Sequence, residues 1–164
     1  GFTTFLWDLQ LKVGHSVRSA KQCAVLAKTD VTIMTNMLEA RTIVGDELLR
    51  GEMERLTAPE KLWSPKQFFA AKFLEQQERY KRHGMVEYDL EPNVKESPGG
   101  LRDIQTIHWV AKRLYKVSSL EALANRGFYT EPEYNSLRSA QSFLSAVRFG
   151  LHMRTHRAHH QLQF

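Results

Sequence analysis

The sequence predicts a mainly α-helical chain, bundle-like, with one short strand. Three observations carry this: apolar residues recur at three- and four-residue intervals through most of the chain, capping signals stand ahead of those runs, and one stretch alone alternates like a strand. The 164 residues are 42% hydrophobic and 25% charged. That is enough for one domain, or for one domain and part of another.

Gly1 to Leu11 is apolar at helical spacing (Phe2, Phe5, Leu6, Leu9) with no starting methionine and no evident cap. The chain is therefore expected to begin inside an element, and His156 to Phe164 ends without a closing signal, as in a piece of something longer. Lys12 to Arg18 places Val13 and Val17 around Gly14 and reads as the strand. Ser19 caps a helix to about Ala27, and Asp30 caps the next, with Ile33, Met34, Met37, Leu38 and Ile43 near one face and Gly45 closing it. Ser64-Pro65-Lys66-Gln67 joins a Ser cap, Pro at the first helical position and Gln at the capping-box position. It opens a helix with Phe68, Phe69, Phe73 and Leu74, running to about His83 before Gly84. Pro92, Pro98 and Gly99-Gly100 make Tyr88 to Gly100 a loop. A helix from Leu101 to Tyr115 carries an apolar stripe of Leu101, Ile104, Ile107, His108, Ala111 and Leu114. Ser118 to Glu121 and Thr130 to Glu133 both match the capping box, the second opening a long helix towards His156.

The formal charge of +5 permits an anionic partner. Cys23, the only cysteine, excludes an intramolecular disulfide and a cysteine-based zinc cluster, and suits the cytoplasm. No apolar run approaches the roughly 18 to 20 residues of a membrane span, and the residues from Gly1 onward show no basic, apolar, small-residue signal pattern. Internal repeats and low-complexity tracts are absent from the sequence.

Leu90 to Val110 (LEPNVKESPGGLRDIQTIHWV) is the most informative segment, running from a charged loop through two glycines into a helix N-terminus. Free backbone N–H groups and the dipole there favour an anion, and Lys95 and Arg102 add charged donors, which together suit a phosphate-bearing ligand. The same residues also support a structural account, in which the glycines make a turn and Arg102 with Asp103 ties the loop to neighbouring helices, and physics alone favours it because helix N-termini without ligands are far commoner than those with them. The spacing fits neither a Walker loop nor a dinucleotide fingerprint.

The run EPNVKESPGGLRDIQTIHWVAKR closely resembles the signature of the helical domain in the protein-PII uridylyltransferase family. FLWDLQLKVGHSVRS and DVTIMTNMLEARTIVGD resemble the close of that family's nucleotidyltransferase domain and its junction with the helical domain, and RFGLHMRTHR also fits. The resemblance implies a nucleotidyltransferase remnant over 1–45 and the helical domain over 46–164. A related Gly-Gly-Leu-Arg-Asp-Ile motif occurs in the glutamine-synthetase adenylyltransferase family. Its preceding strand usually carries an Asp in an Arg-Leu-Arg-Pro context, where this chain has Gly14-His15-Ser16-Val17-Arg18.

The resemblance further implies a parent that transfers UMP from UTP to a tyrosine of the PII signal protein, with Mg2+ on an Asp-x-Asp pair behind a Gly-rich turn. Neither feature occurs in this chain. Asp89 and Glu91 have the spacing but no such turn or strand before them, so no metal ligand and no catalytic residue is assigned. Lys95, Gly99, Gly100, Arg102 and Asp103 are the candidates for lining the nucleotide cleft. Glu39, Arg41 and Asp46 belong to the junction motif, where a buried ion pair fixing the two domains is expected ahead of the alternative, substrate contact. The hydrolase domain that removes UMP would lie beyond Phe164, and the chain alone is expected to be inactive.

His152, His156 and His160 would stack on one face if the last helix continued far enough, a weak metal candidate. Arg148, Arg154 and Arg157 add a basic strip, but Trp63, Phe68, Phe69 and Phe73 stand at core spacing, so nucleic acid is not an expected partner. The rival reading is an interaction scaffold without nucleotide. Lys95 and Arg102 reaching into a cleft shared with the Gly14 to Arg18 strand would favour the nucleotide; Lys95 and Arg102 buried in ion pairs would favour the scaffold.

Overall fold

Side-chain caps fix most of the helix starts. In the computed structural model, which describes residues 1–11, 13–83, 90–117 and 119–163, Ser19, Ser64 and Thr130 each accept a hydrogen bond from the third helical N–H, while Gln22, Gln67 and Glu133 reach back in full capping boxes. The helices are α1 (Phe2–Asp8), α2 (Ala20–Thr29), α3 (Val31–Leu38), α4 (Glu47–Leu56), α5 (Pro65–Arg82), α6 (Leu101–Tyr115), α7 (Leu120–Ala124) and α8 (Glu131–Thr155). The chain is mainly α, as expected. Gly84, Tyr88, Asp89 and Ser118, on which some expectations rested, lie outside the described residues.

Three local expectations are corrected. Residues 13–18 form no strand: Val17 is 98% exposed, and a β-branched pair around a glycine becomes a strand only beside a partner that takes its backbone hydrogen bonds. Gly45 has φ +119° but does not close α3. That helix ends at Leu38, and Asp46 instead starts α4 by accepting the N–H of Leu48 at 2.8 Å. Ser119 caps α7 through the N–H of Ala122.

The described residues fall into two compact units, 1–58 and 59–164. In the first, α2 packs on α3 and α4, with Ala27 and Met34 fully buried. In the second, α5 packs on α6, and α8 on α6 and α7. Phe68, Leu101, Ile104, Trp109, Ala111 and Leu123 are its buried apolar residues, joined by Val94 and Val117 from the loops.

The apolar faces differ from those the spacing suggests. On α5 only Phe68 is buried, while Phe69, Phe73 and Leu74 face out and Lys72 and Arg79 are buried in their place. On α6, Trp109 and Arg113 are buried and Ile107 is exposed. Each buried cation has local compensation. Lys72 pairs with Glu75 at 2.7 Å and lies 4.4 Å above the Trp109 ring. Arg113 donates to the carbonyls of Leu62 and Trp63, and burial lowers its pKa against the opposing charge of Glu60.

Candidate functional site

Asn93 begins the site. Its side-chain oxygen accepts the N–H groups of Lys95 and Glu96 at 3.0 and 2.9 Å, and its own N–H and carbonyl bond Ser97 at 3.0 Å each. This Asx arrangement reverses the chain. Gly99 then adopts φ +76°, a region that favours glycine. Gly100 is required for space: a Cβ there would stand 2.8 Å from the Ser97 carbonyl oxygen and 2.9 Å from that of Lys95.

The turn consumes the donors at the start of α6. Gly100, Leu101 and Arg102 give their N–H groups to the carbonyls of Ser97, Val94 and Lys95 at 2.9, 3.0 and 2.9 Å. The N–H of Gly99 goes to the Asp103 carboxylate at 2.8 Å. Donors that a helix N-terminus ordinarily leaves open are met from within the loop.

Asp103 is the hub. One carboxylate oxygen accepts from Gln76 at 2.9 Å and from Arg79; the other accepts from Tyr80 at 2.6 Å and from Gly99. These donors fill its acceptor sites. Burial pushes its pKa up, but the hydrogen bonds from Tyr80, Arg79, Gln76 and Gly99 prevail and hold it low. Burial and the bond to Asp103 raise the Tyr80 hydroxyl to about 12. Arg79 completes its own coordination by donating to the Glu96 carbonyl at 3.0 Å.

Glu96 gathers the two candidate cations. Lys95 lies 2.9 Å from it and Arg102 3.3 Å. Burial again acts upward, and the hydrogen bonds and charges of Lys95 and Arg102 overcome it to bring Glu96 to about 2. Arg102 also donates to Gln105 at 2.9 Å and lies 5.4 Å above the Trp109 ring. Lys95, Gly99, Gly100, Arg102 and Asp103 thus come together in one loop and helix start, with the cations turned towards a carboxylate. Sequence reasoning missed Glu96, Gln76, Arg79 and Tyr80. The i, i+3, i+4 spacing of the last three on α5 was the available signal.

The other candidates lie elsewhere. Glu39, Arg41 and Asp46 are all exposed, so no buried ion pair forms among them; Asp46 is a helix cap. His156 ends α8 at φ +53°, so the helix does not continue to carry the expected stack to His160. The chain instead folds back, so that His160 Nδ1 meets His152 Nε2 at 3.0 Å and accepts from Arg148 at 3.3 Å. Burial, then the charges of Arg148, Lys95 and His152, lower the His160 pKa. The returning chain pairs with the loop, Val94 N–H to the His160 carbonyl at 2.8 Å and Leu162 N–H to that of Pro92 at 3.0 Å. Among the described residues no group of three His, Cys, Asp or Glu is placed to hold a metal, and no helix is long and apolar enough to cross a membrane.

The second unit is thus a helical module organised by an internally satisfied Gly-Gly-Leu-Arg-Asp hub. Residues 67–164 match the family model described as GlnD PII-uridylyltransferase, and the chain belongs to that family. It is 50% identical over its whole length to the bifunctional uridylyltransferase/uridylyl-removing enzyme of Stutzerimonas stutzeri. It is 52% identical over 98% of its length to that of Pseudomonas fluorescens and 49% identical over its whole length to that of Azotobacter vinelandii. In each case it spans 18% of the relative's length. No solved structure matches the chain.

Proposed function

We propose that the chain is the meeting point of a nucleotidyltransferase domain (1–45) and a helical domain (46–164) in a bifunctional uridylyltransferase/uridylyl-removing enzyme. The parent transfers UMP from UTP to a tyrosine of the PII signal protein in the cytoplasm, with Mg2+ on acids outside this chain, and removes it through a separate domain. The chain's own part is to support the nucleotide site and to hold the helical domain in shape for PII. It carries no transferase activity by itself.

The observation that carries this reading is the chain's membership of a uridylyltransferase family; the signature loop closing on Asp103 and Glu96 supports its shape-holding part. A hub whose donors and acceptors are all engaged is suited to positioning a surface, and buried charge networks specify one arrangement when every member is satisfied. The same saturation favours a second reading, in which the helical domain is a pure docking scaffold and nucleotide contacts lie elsewhere. Purified chain incubated with PII, Mg2+ and α-phosphate-labelled UTP is expected to leave PII unlabelled. Label on PII would overturn the inactive assignment, and calorimetric binding of UTP separates the nucleotide-supporting role from the scaffold.

A further inference from the structure

We propose that residues 159–163 are an acid-released latch on the signature loop, with the ring of His160 as its trigger. The segment turns back from α8 and lies along the loop. Asn93 and Gln161 form an antiparallel bridge, and the N–H groups of Val94 and Leu162 bond the carbonyls of His160 and Pro92 at 2.8 and 3.0 Å. Val94 is 6% exposed, and its own carbonyl receives the N–H of Leu101 at the start of α6. A few backbone hydrogen bonds hold such a segment only weakly, so the contacts of the His160 ring decide whether it stays.

The protonation state of that ring follows from its neighbours. Arg148 Nε can only donate, and it stands 3.3 Å from His160 Nδ1. The nitrogen therefore keeps its lone pair, and His152 Nε2, 3.0 Å away, is a second donor to it. A proton on Nδ1 would set N–H against N–H in both contacts, so the latched ring is neutral with its hydrogen on Nε2. Burial opposes its charging, and so do Arg148 and His152 from α8 and Lys95 from the loop. Glu96 on that loop is engaged by Lys95 and Arg102. On the segment itself His159 buries its Nε2 without a hydrogen-bond partner among the described residues, and a backbone hydrogen bond at His159 is the smallest influence, acting upward. The ring thus stays below its ordinary 6.5 while latched. The latched form binds the proton less readily than the released one, so the latch is full above 6.5 and weakens as pH falls from there.

Amide hydrogen exchange on the folded chain, each rate referred to that of unstructured peptide, tests this. From pH 6.5 to 5.5 the protection of the Val94 and Leu162 amides should fall by about three- to tenfold, the upper limit for one linked proton; that of Ala111 inside α6 should hold. His160→Asn offers an acceptor oxygen near the place of Nδ1 and takes up no proton, and should keep its protection over the same range. His152→Gln retains a donor and should keep the pH dependence. Long-range 1H–15N spectra of the unaltered chain should show the His160 hydrogen on Nε2 at pH 7.5 and a ring titration centred below 6.5. Protection that ignores pH, a fall that persists in His160→Asn, or a pH dependence lost in His152→Gln would each overturn the proposal. A His160 hydrogen on Nδ1, or a ring midpoint at or above 6.5, would overturn it whatever the variants do.

Discussion

Two groups of basic residues on this chain have opposite fates. Around the signature loop, Lys95, Arg102 and the buried Arg79 of α5 are each met by a carboxylate, Glu96 or Asp103. In the first unit, around a cleft also lined by Cys23 and Met53, Arg18, Lys21 and Arg41 are met by none among the described residues. The difference teaches that a Gly-rich, cation-rich run into a helix does not by its composition make an anion site. What counts is whether the fold has already supplied the counter-charge. A buried cation with its partner is a structural element, and an exposed cation without one is left to solvent.

The contrast is broken most forcefully at Asp103. Asp103→Ala leaves Arg79 buried without its partner, and the unfolding free energy of the second unit should fall by about 3–5 kcal/mol. Tryptophan fluorescence in a urea titration reads this through Trp63 and Trp109. A loss near zero would mean that Asp103 does not hold the hub.

Next is Gly100→Ala, whose Cβ would enter the space of the Ser97 and Lys95 carbonyls. The expected cost is about 1–3 kcal/mol in the same titration. Gly99→Ala, strained only by its positive φ, should cost about 1–2 kcal/mol. A larger effect at 99 than at 100 would show that conformation outweighs space in this turn.

The pH dependence sharpens the comparison further. Glu96 is lowered from 4.5 to about 2, so the unfolded chain binds this proton more readily than the folded one. The stability it contributes is full above 4.5 and is lost as pH falls from there towards 2. Tyr80, raised from 10.0 to about 12, works in the opposite direction. Its contribution is full below 10 and is lost as pH rises towards 12. Glu96→Gln should make the acid limb of a melting-temperature profile shallower, leaving the part due to Asp103, and leave the alkaline limb in place.

The smallest effect is expected in the cleft. Arg18→Gln and Arg41→Gln remove exposed, unpaired charges and should change stability by less than about 0.5 kcal/mol. A larger loss in thermal unfolding would show that these cations are structural after all, erasing the contrast.

Much of the fold was legible because its signals are local. Ser64, Pro65 and Gln67 stand within one turn and suffice to start α5 at Pro65, and the double glycine marks the turn before α6. The start of α4 was legible too, in Asp46, but Asp46 was assigned to a junction ion pair. The buried face of α5 was misjudged because the reading rested on its apolar residues alone and left Lys72 and Arg79 out. They are buried only because Trp109, Glu96 and Asp103 arrive on the partner loop and helix.

Helix class, helix starts and the need for two glycines thus follow from residues a few positions apart, since a cap or a positive φ is settled by its own turn. Which cations are neutralised does not, because the partners are distant in sequence: Asp103 lies 24 residues beyond Arg79. The same holds for His152 and His160, brought together by a chain reversal where the spacing suggests a continuous helical face. Charge compensation depends on distance in space, and only the packing of α5, α6 and their loop sets those distances.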